Sequence, residues 1–128
     1  MSVDGISLKA SDFIIRNNEA YITNKNYLGT PGMMLIFATW CGHCHRFLPV
    51  FNQLQKQLGD DFPIMSIEHS ELENDKALIQ ALDFKGYPTI KFFDQKGKII
   101  GEYTSGDRSK SALLAHICDI YHHCVKFH

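Results

Sequence analysis

The stretch Met33-Met34-Leu35-Ile36-Phe37-Ala38-Thr39-Trp40-Cys41-Gly42-His43-Cys44 decides the fold. Its first six residues are an unbroken apolar run of the length of a buried strand, and from Arg46 the pattern turns amphipathic. The order is strand, tight turn carrying two thiols, then helix. A cysteine in the first turn of a helix meets unpaired backbone N–H groups and the positive end of the macrodipole. Both favour thiolate over thiol, and thiolate is the reactive species. Cys44 lies one helical turn beyond Cys41, close enough for an internal disulfide, so the pair reads as a reversible two-electron switch.

Two other uses of such a pair are weaker. A structural zinc site needs four ligands, usually from a second closely spaced pair, and the other cysteines, Cys118 and Cys124, are set further apart in a different kind of segment. A disulfide closing so short a loop removes little chain entropy and stabilises little.

A chain of 128 residues with 45% apolar content and a net charge of −1 suits one soluble domain with one core. That charge balance gives no reason to expect nucleic acid or an anionic membrane as partner. No apolar run approaches the ~20 residues of a membrane span. Met1-Ser2-Val3-Asp4-Gly5 lacks the pattern of a signal peptide, and Val125-Lys126-Phe127-His128 is not a retrieval signal. The expectation is therefore a cytoplasmic protein as written, or one of the endoplasmic reticulum lumen if a leader has been trimmed.

Phe47, Phe51, Leu54 and Leu58 recur at helical spacing, with Gly59 at the expected end and Pro49 inside, where it removes a backbone hydrogen bond. Ile64 to Ile67 suits a buried strand, and Asn74 can cap a helix through Ala77, Leu78, Ala81 and Leu82. Thr89 to Phe93 and Lys98 to Tyr103 read as a hairpin turned by Asp94-Gln95-Lys96-Gly97. A last helix carries Leu113, Leu114, Ile117, Tyr121 and Cys124 on one side. Before residue 30 two readings stand: a hairpin around Asn17-Asn18, or a strand and helix.

Three separated blocks resemble the thioredoxin-like family, and within it the catalytic domains of protein disulfide isomerases. Trp40 to Cys44 is similar to the isomerase active site, Gly86-Tyr87-Pro88-Thr89-Ile90-Lys91-Phe92-Phe93 to the segment with the family's cis-proline, and Tyr103-Thr104-Ser105-Gly106-Asp107-Arg108 to the stretch that opens the last helix. The resemblance covers residues from about Met33 to His122. It implies an α/β thioredoxin fold, a central mixed β-sheet flanked by helices, as one domain over 1–128, with 1–30 a variable N-terminal segment and 31–124 the catalytic core. It implies an enzyme that exchanges disulfides with cysteine-containing protein substrates, a redox recycling partner of unknown identity, a monomer, no metal, and no cofactor beyond the Cys41–Cys44 disulfide.

In that mechanism Cys41, at the helix start, is the nucleophile and Cys44 the resolving thiol. Trp40, Gly42 and His43 surround them. His43 offers Cys41 a charge or an N–H that a proline would not; stabilising the thiolate stabilises the reduced form and makes the disulfide a better oxidant. By resemblance Pro88 is cis and the Tyr87 backbone pairs with an extended substrate. The family's buried acid, five residues before the tryptophan, is Leu35 here, and its lysine partner falls at Ser66. Arg108 matches the isomerase arginine that lowers the resolving cysteine's pKa; in its plainer reading it is a solvated residue of the first helical turn.

The tail from Cys118 to Cys124, with His116 and His128, invites a metal reading. On a continuous helix, however, Cys118 and Cys124 lie about 9 Å apart along the axis and roughly 120° around it, beyond the ~7 Å Cα limit for a disulfide. Cys124 reads as a small core residue. The expectation is thus an oxidase or isomerase. The alternatives are a thioredoxin-like reductase and, from another class, a redox-gated client-binding module with little turnover.

Overall fold

The computed structural model describes residues 3–24 and 27–121. Seven strands form in chain order: β1 (Ile6–Ser7), β2 (Phe13–Arg16), β3 (Glu19–Ile22), β4 (Gly32–Phe37), β5 (Ile64–Glu68), β6 (Thr89–Phe93) and β7 (Ile99–Glu102). The helices are α1 (Gly42–Leu58), α2 (His69–Leu72), α3 (Lys76–Leu82) and α4 (Lys110–Tyr121). Five strands make a mixed sheet in the order β1-β5-β4-β6-β7. β4 and β1 run parallel to β5, whereas β6 is antiparallel to β4 and β7 to β6.

β4 is buried along its whole length, as a central strand covered on both faces must be. Alternation divides it. Met33, Leu35 and Phe37 face the half of the core built with Phe47, Phe51 and Leu54 of α1 and Leu113 and Ile117 of α4. Met34 and Ile36 face the other half, with Leu78 and Leu82 of α3. Phe51 is fully buried, so Phe51→Ala is expected to cost about 3–5 kcal/mol through lost transfer energy and a residual cavity. Denaturant unfolding measures this as a lowered midpoint.

In the N-terminal region the structure contains the hairpin and, before it, the short strand β1 followed by a single 3-10 turn at Ala10–Asp12. Asn17 and Asn18 both adopt positive φ, 52° and 64°, the backbone of a two-residue turn whose twist matches the strands. β2 and β3 pair in register, Phe13 with Ile22 and Arg16 with Glu19. The hairpin buries Phe13, Ala20 and Ile22 in the α3 half of the core. It is tied to the β6–β7 turn by the Ile22 N–H, which donates to the Gly97 carbonyl at 2.9 Å. Gly97 has φ +83° and a Cβ there would lie 2.3 Å from the Ile22 oxygen. Glycine is required on both counts.

Some boundaries move. α3 is capped by Asp75, whose carboxylate accepts from the Leu78 N–H at 3.0 Å, rather than by Asn74. Gly59 does end α1, but in right-handed backbone; what excludes a side chain is the Gln55 carbonyl, 2.5 Å from where its Cβ would be. Arg108 precedes α4, which begins at Lys110. Cys118 is disulfide-bonded, whereas the sequence carried only the expectation that Cys118 and Cys124 cannot pair within one helix. That expectation assumed an unbroken helix through Cys124, and Cys124, like His128, lies outside the described residues.

Candidate active site

β4 ends at the sheet's edge of carboxyl termini and the chain turns directly into α1. Cys41 is the N-cap of α1 with extended backbone, φ −89° and ψ 118°. It therefore faces the unpaired N–H groups of the first turn. Cys41 is half-buried and Cys44, on the core side of that turn, fully buried; both are free thiols. The Tyr87–Pro88 peptide is cis, and the Cys41 Sγ–H donates to the Tyr87 carbonyl at 3.4 Å.

The two thiols are driven apart. Burial pushes Cys41 up, but the backbone N–H of Cys44, the Cys44 thiol, the backbone N–H of His43 and the Arg108 charge together hold it below the ordinary thiol value. Burial pushes Cys44 up to about 11, and the hydrogen bond and charge of Cys41 add to this against the Ala38 backbone and Arg108. Cys41 is thus the more readily ionised thiol, and Cys44 holds its proton the more tightly. Leu35 is fully buried in β4, beside Ser66 on one neighbouring strand and Ile90 on the other. No carboxylate stands at that position to take the Cys44 proton.

His43 Nδ1 lies 2.7 Å from an Arg46 guanidinium nitrogen. A guanidinium only donates, so Nδ1 accepts and the ring proton sits on Nε2. The cation at this side of the pair is thus Arg46, with His43 presenting an N–H. Gly42 opens α1 with open space around its Cα, so a side chain there meets no steric barrier.

Trp40 is 68% exposed. Its ring stands edge-on to Tyr87 and His69, with centroids 5.6 and 5.7 Å away. His69 Nδ1 is 2.7 Å from the Tyr87 hydroxyl, and its Nε2 is 3.5 Å from the Glu73 carboxylate. This fixes the aromatic wall beside Cys41. His69 was not among the residues picked out from the sequence, although its position two residues after the apolar run ending at Ile67, at the carboxyl end of a parallel strand, was an available signal. A cavity of about 550 Å³ begins at the same Tyr87 and runs past Pro88, Asp83, Lys91, Glu102 and Arg108.

A thioredoxin family model matches residues 17–119, and the chain belongs to the thioredoxin family. It is 33% identical over 78 residues to the protein disulfide-isomerase erp38 of Neurospora crassa, covering 61% of this chain and 21% of that protein. Protein disulfide-isomerase A4 of Mus musculus is 28% identical over 88 residues, covering 69% and 13%. The chain thus spans about a fifth or less of the length of these curated relatives. Among solved structures, the J-Trx1 fragment of ERdj5 superposes with a TM-score of 0.66 at 20% identity, over 89% of this chain and 50% of that one. The fold is the thioredoxin fold. Proteins of this family use their own cysteine pair and no cofactor. Among the described residues no group of three or more His, Cys, Asp or Glu side chains is arranged to hold a metal. No helix of the described residues is long and apolar enough to cross a membrane.

Proposed function

We propose that the chain is a protein thiol–disulfide oxidoreductase of the oxidase or isomerase type, acting on cysteine-containing proteins. The observation that carries this reading is the opposed environment of the two thiols, Cys41 lowered at a helix start and Cys44 raised to about 11. In the oxidising direction, a substrate thiolate attacks Sγ of Cys41 in the Cys41–Cys44 disulfide, and the Cys44 sulfur leaves with the electron pair and takes a proton. A second substrate thiolate then attacks the substrate sulfur of the mixed disulfide. The substrate disulfide forms and Cys41 leaves as thiolate.

Each element of the site has a part in that scheme. The stabilised Cys41 thiolate is a good leaving group and favours the reduced enzyme. The Tyr87 carbonyl beside Sγ is a ready acceptor for the backbone of an extended substrate, and Trp40 and Tyr87 supply apolar contact next to it. The disulfide at Cys118 supports residence in an oxidising compartment, where such bonds persist. A second reading, a redox-gated module that holds clients and turns over slowly, is favoured by the leucine at position 35.

Refolding of a scrambled disulfide-containing protein separates these readings. Catalytic amounts of the chain are expected to restore native pairing in a glutathione buffer. Stoichiometric complex formation without such turnover would favour the holding module.

A further inference from the structure

Arg108 stands at the junction of two cavities. The large one passes the Tyr87–Pro88 loop and a smaller one, of about 120 Å³, is lined by His43, Arg46, Phe47 and Arg108. Two arginines therefore line one small space that no carboxylate lines. Arg46 gives an N–H to His43, and neither it nor Arg108 forms an ion pair among the described residues. The neighbouring cation Lys91 is already satisfied: its Nζ donates to the Asp83 carbonyl and pairs with Glu102, both at 2.8 Å. The acid adjacent in sequence, Asp107, is turned to the Ser109 N–H at 3.0 Å.

Like charges facing one cavity repel, and a carboxylate between them removes that repulsion while accepting charge-assisted hydrogen bonds from both. The cavity adjoins the reacting sulfur, because Arg108 is near enough to lower both thiols and His43 lies between the cysteines. The rim of the site is therefore lopsided, aromatic at Trp40 and Tyr87 and cationic at Arg46 and Arg108.

We propose that Arg46 and Arg108 form a carboxylate subsite that selects client segments carrying a Glu or Asp side chain beside the reactive cysteine. This rests on the thiol-exchange reading above and names the substrate class of that site.

The test uses the Cys44→Ser chain and two peptides, differing only in Glu or Gln next to one cysteine, each supplied as its mixed disulfide with cysteamine. Cys41 thiolate attacks the peptide sulfur, the Cys41–peptide disulfide forms, and cysteamine leaves as thiolate and takes a proton. The Glu peptide is expected to react about fivefold faster at low salt, the scale of one partly exposed charge pair. Adding Arg46→Gln should bring the ratio to about one, whereas Lys56→Gln, remote on α1, should leave it at about fivefold. Equal rates in the parent chain, or a ratio indifferent to Arg46→Gln, would overturn the subsite while leaving thiol exchange standing. If Arg46→Gln slows glutathione disulfide but not the Glu peptide, the carboxylate is that of glutathione and the client reading is overturned. Failure of both peptides to react would instead sink the exchange reading. The subsite would then stand or fall on non-covalent binding of the same peptides with Ser for Cys, where Glu must bind more tightly than Gln.

Discussion

Cys41→Ser is expected to lower disulfide exchange by at least about a thousandfold, the scale of losing a catalytic nucleophile, while Cys44→Ser leaves the first attack intact and stalls the chain as a mixed disulfide. The asymmetry follows from where the sequence puts each sulfur. Cys41 caps α1, partly accessible, with the first-turn N–H groups and Arg108 favouring its thiolate. Cys44 is fully enclosed. A serine hydroxyl at position 41 is no comparable leaving group or nucleophile, whereas a serine at position 44 removes only the group that frees the adduct. Non-reducing electrophoresis with a disulfide-bearing protein reads both results. Adducts accumulating through position 44 in the Cys41→Ser chain would reverse the assignment.

Leu35→Glu is expected to speed resolution of that adduct by on the order of 10² at pH 7, the lower range for an added general base. In the adduct Cys41 is bonded to substrate, and burial is what still holds the Cys44 thiol up, so little of it is thiolate at pH 7 and resolution in the parent chain should rise with pH, by about tenfold per unit below the thiol's pKa. A carboxylate on β4, in the same half of the core as Cys44, takes the proton directly and flattens this slope. The cost is a polar group at a fully buried position, about 1–3 kcal/mol of stability. Rapid-quench measurement of adduct decay against pH checks the slope. An unchanged slope and rate in a folded variant would mean that solvent already takes the proton, with the Arg108 charge favouring the thiolate left behind.

How much of this was legible in the sequence depended on whether the signal was local. The strand–turn–helix from Met33 to Leu58 was readable because apolar periodicity changes within it, whereas Asn17-Asn18 marked a candidate turn without deciding between the two N-terminal readings. α2, only His69–Leu72, is too short to show a period. The His69–Tyr87 contact joins residues 18 apart in sequence, and the meeting of Arg46 with Arg108 depends on how α1 packs against the loop before α4. Such pairings are set by the sheet order rather than by neighbours in the chain. The disulfide at Cys118 left no local signal either, since a disulfide partner is set by the tertiary fold and not by spacing along one helix.

The measurement closest to the central claim is the reduction potential of the Cys41–Cys44 pair, by equilibration in glutathione buffers with the Cys118 disulfide left in place. The fraction reduced is read by mass on the peptide that contains both cysteines. Thiolate stabilisation at Cys41 favours the reduced form, about 1.4 kcal/mol for each ~30 mV. A potential near about −180 mV, that of an isomerase, is the predicted result. A value near about −270 mV would make the chain a reductase and contradict the account.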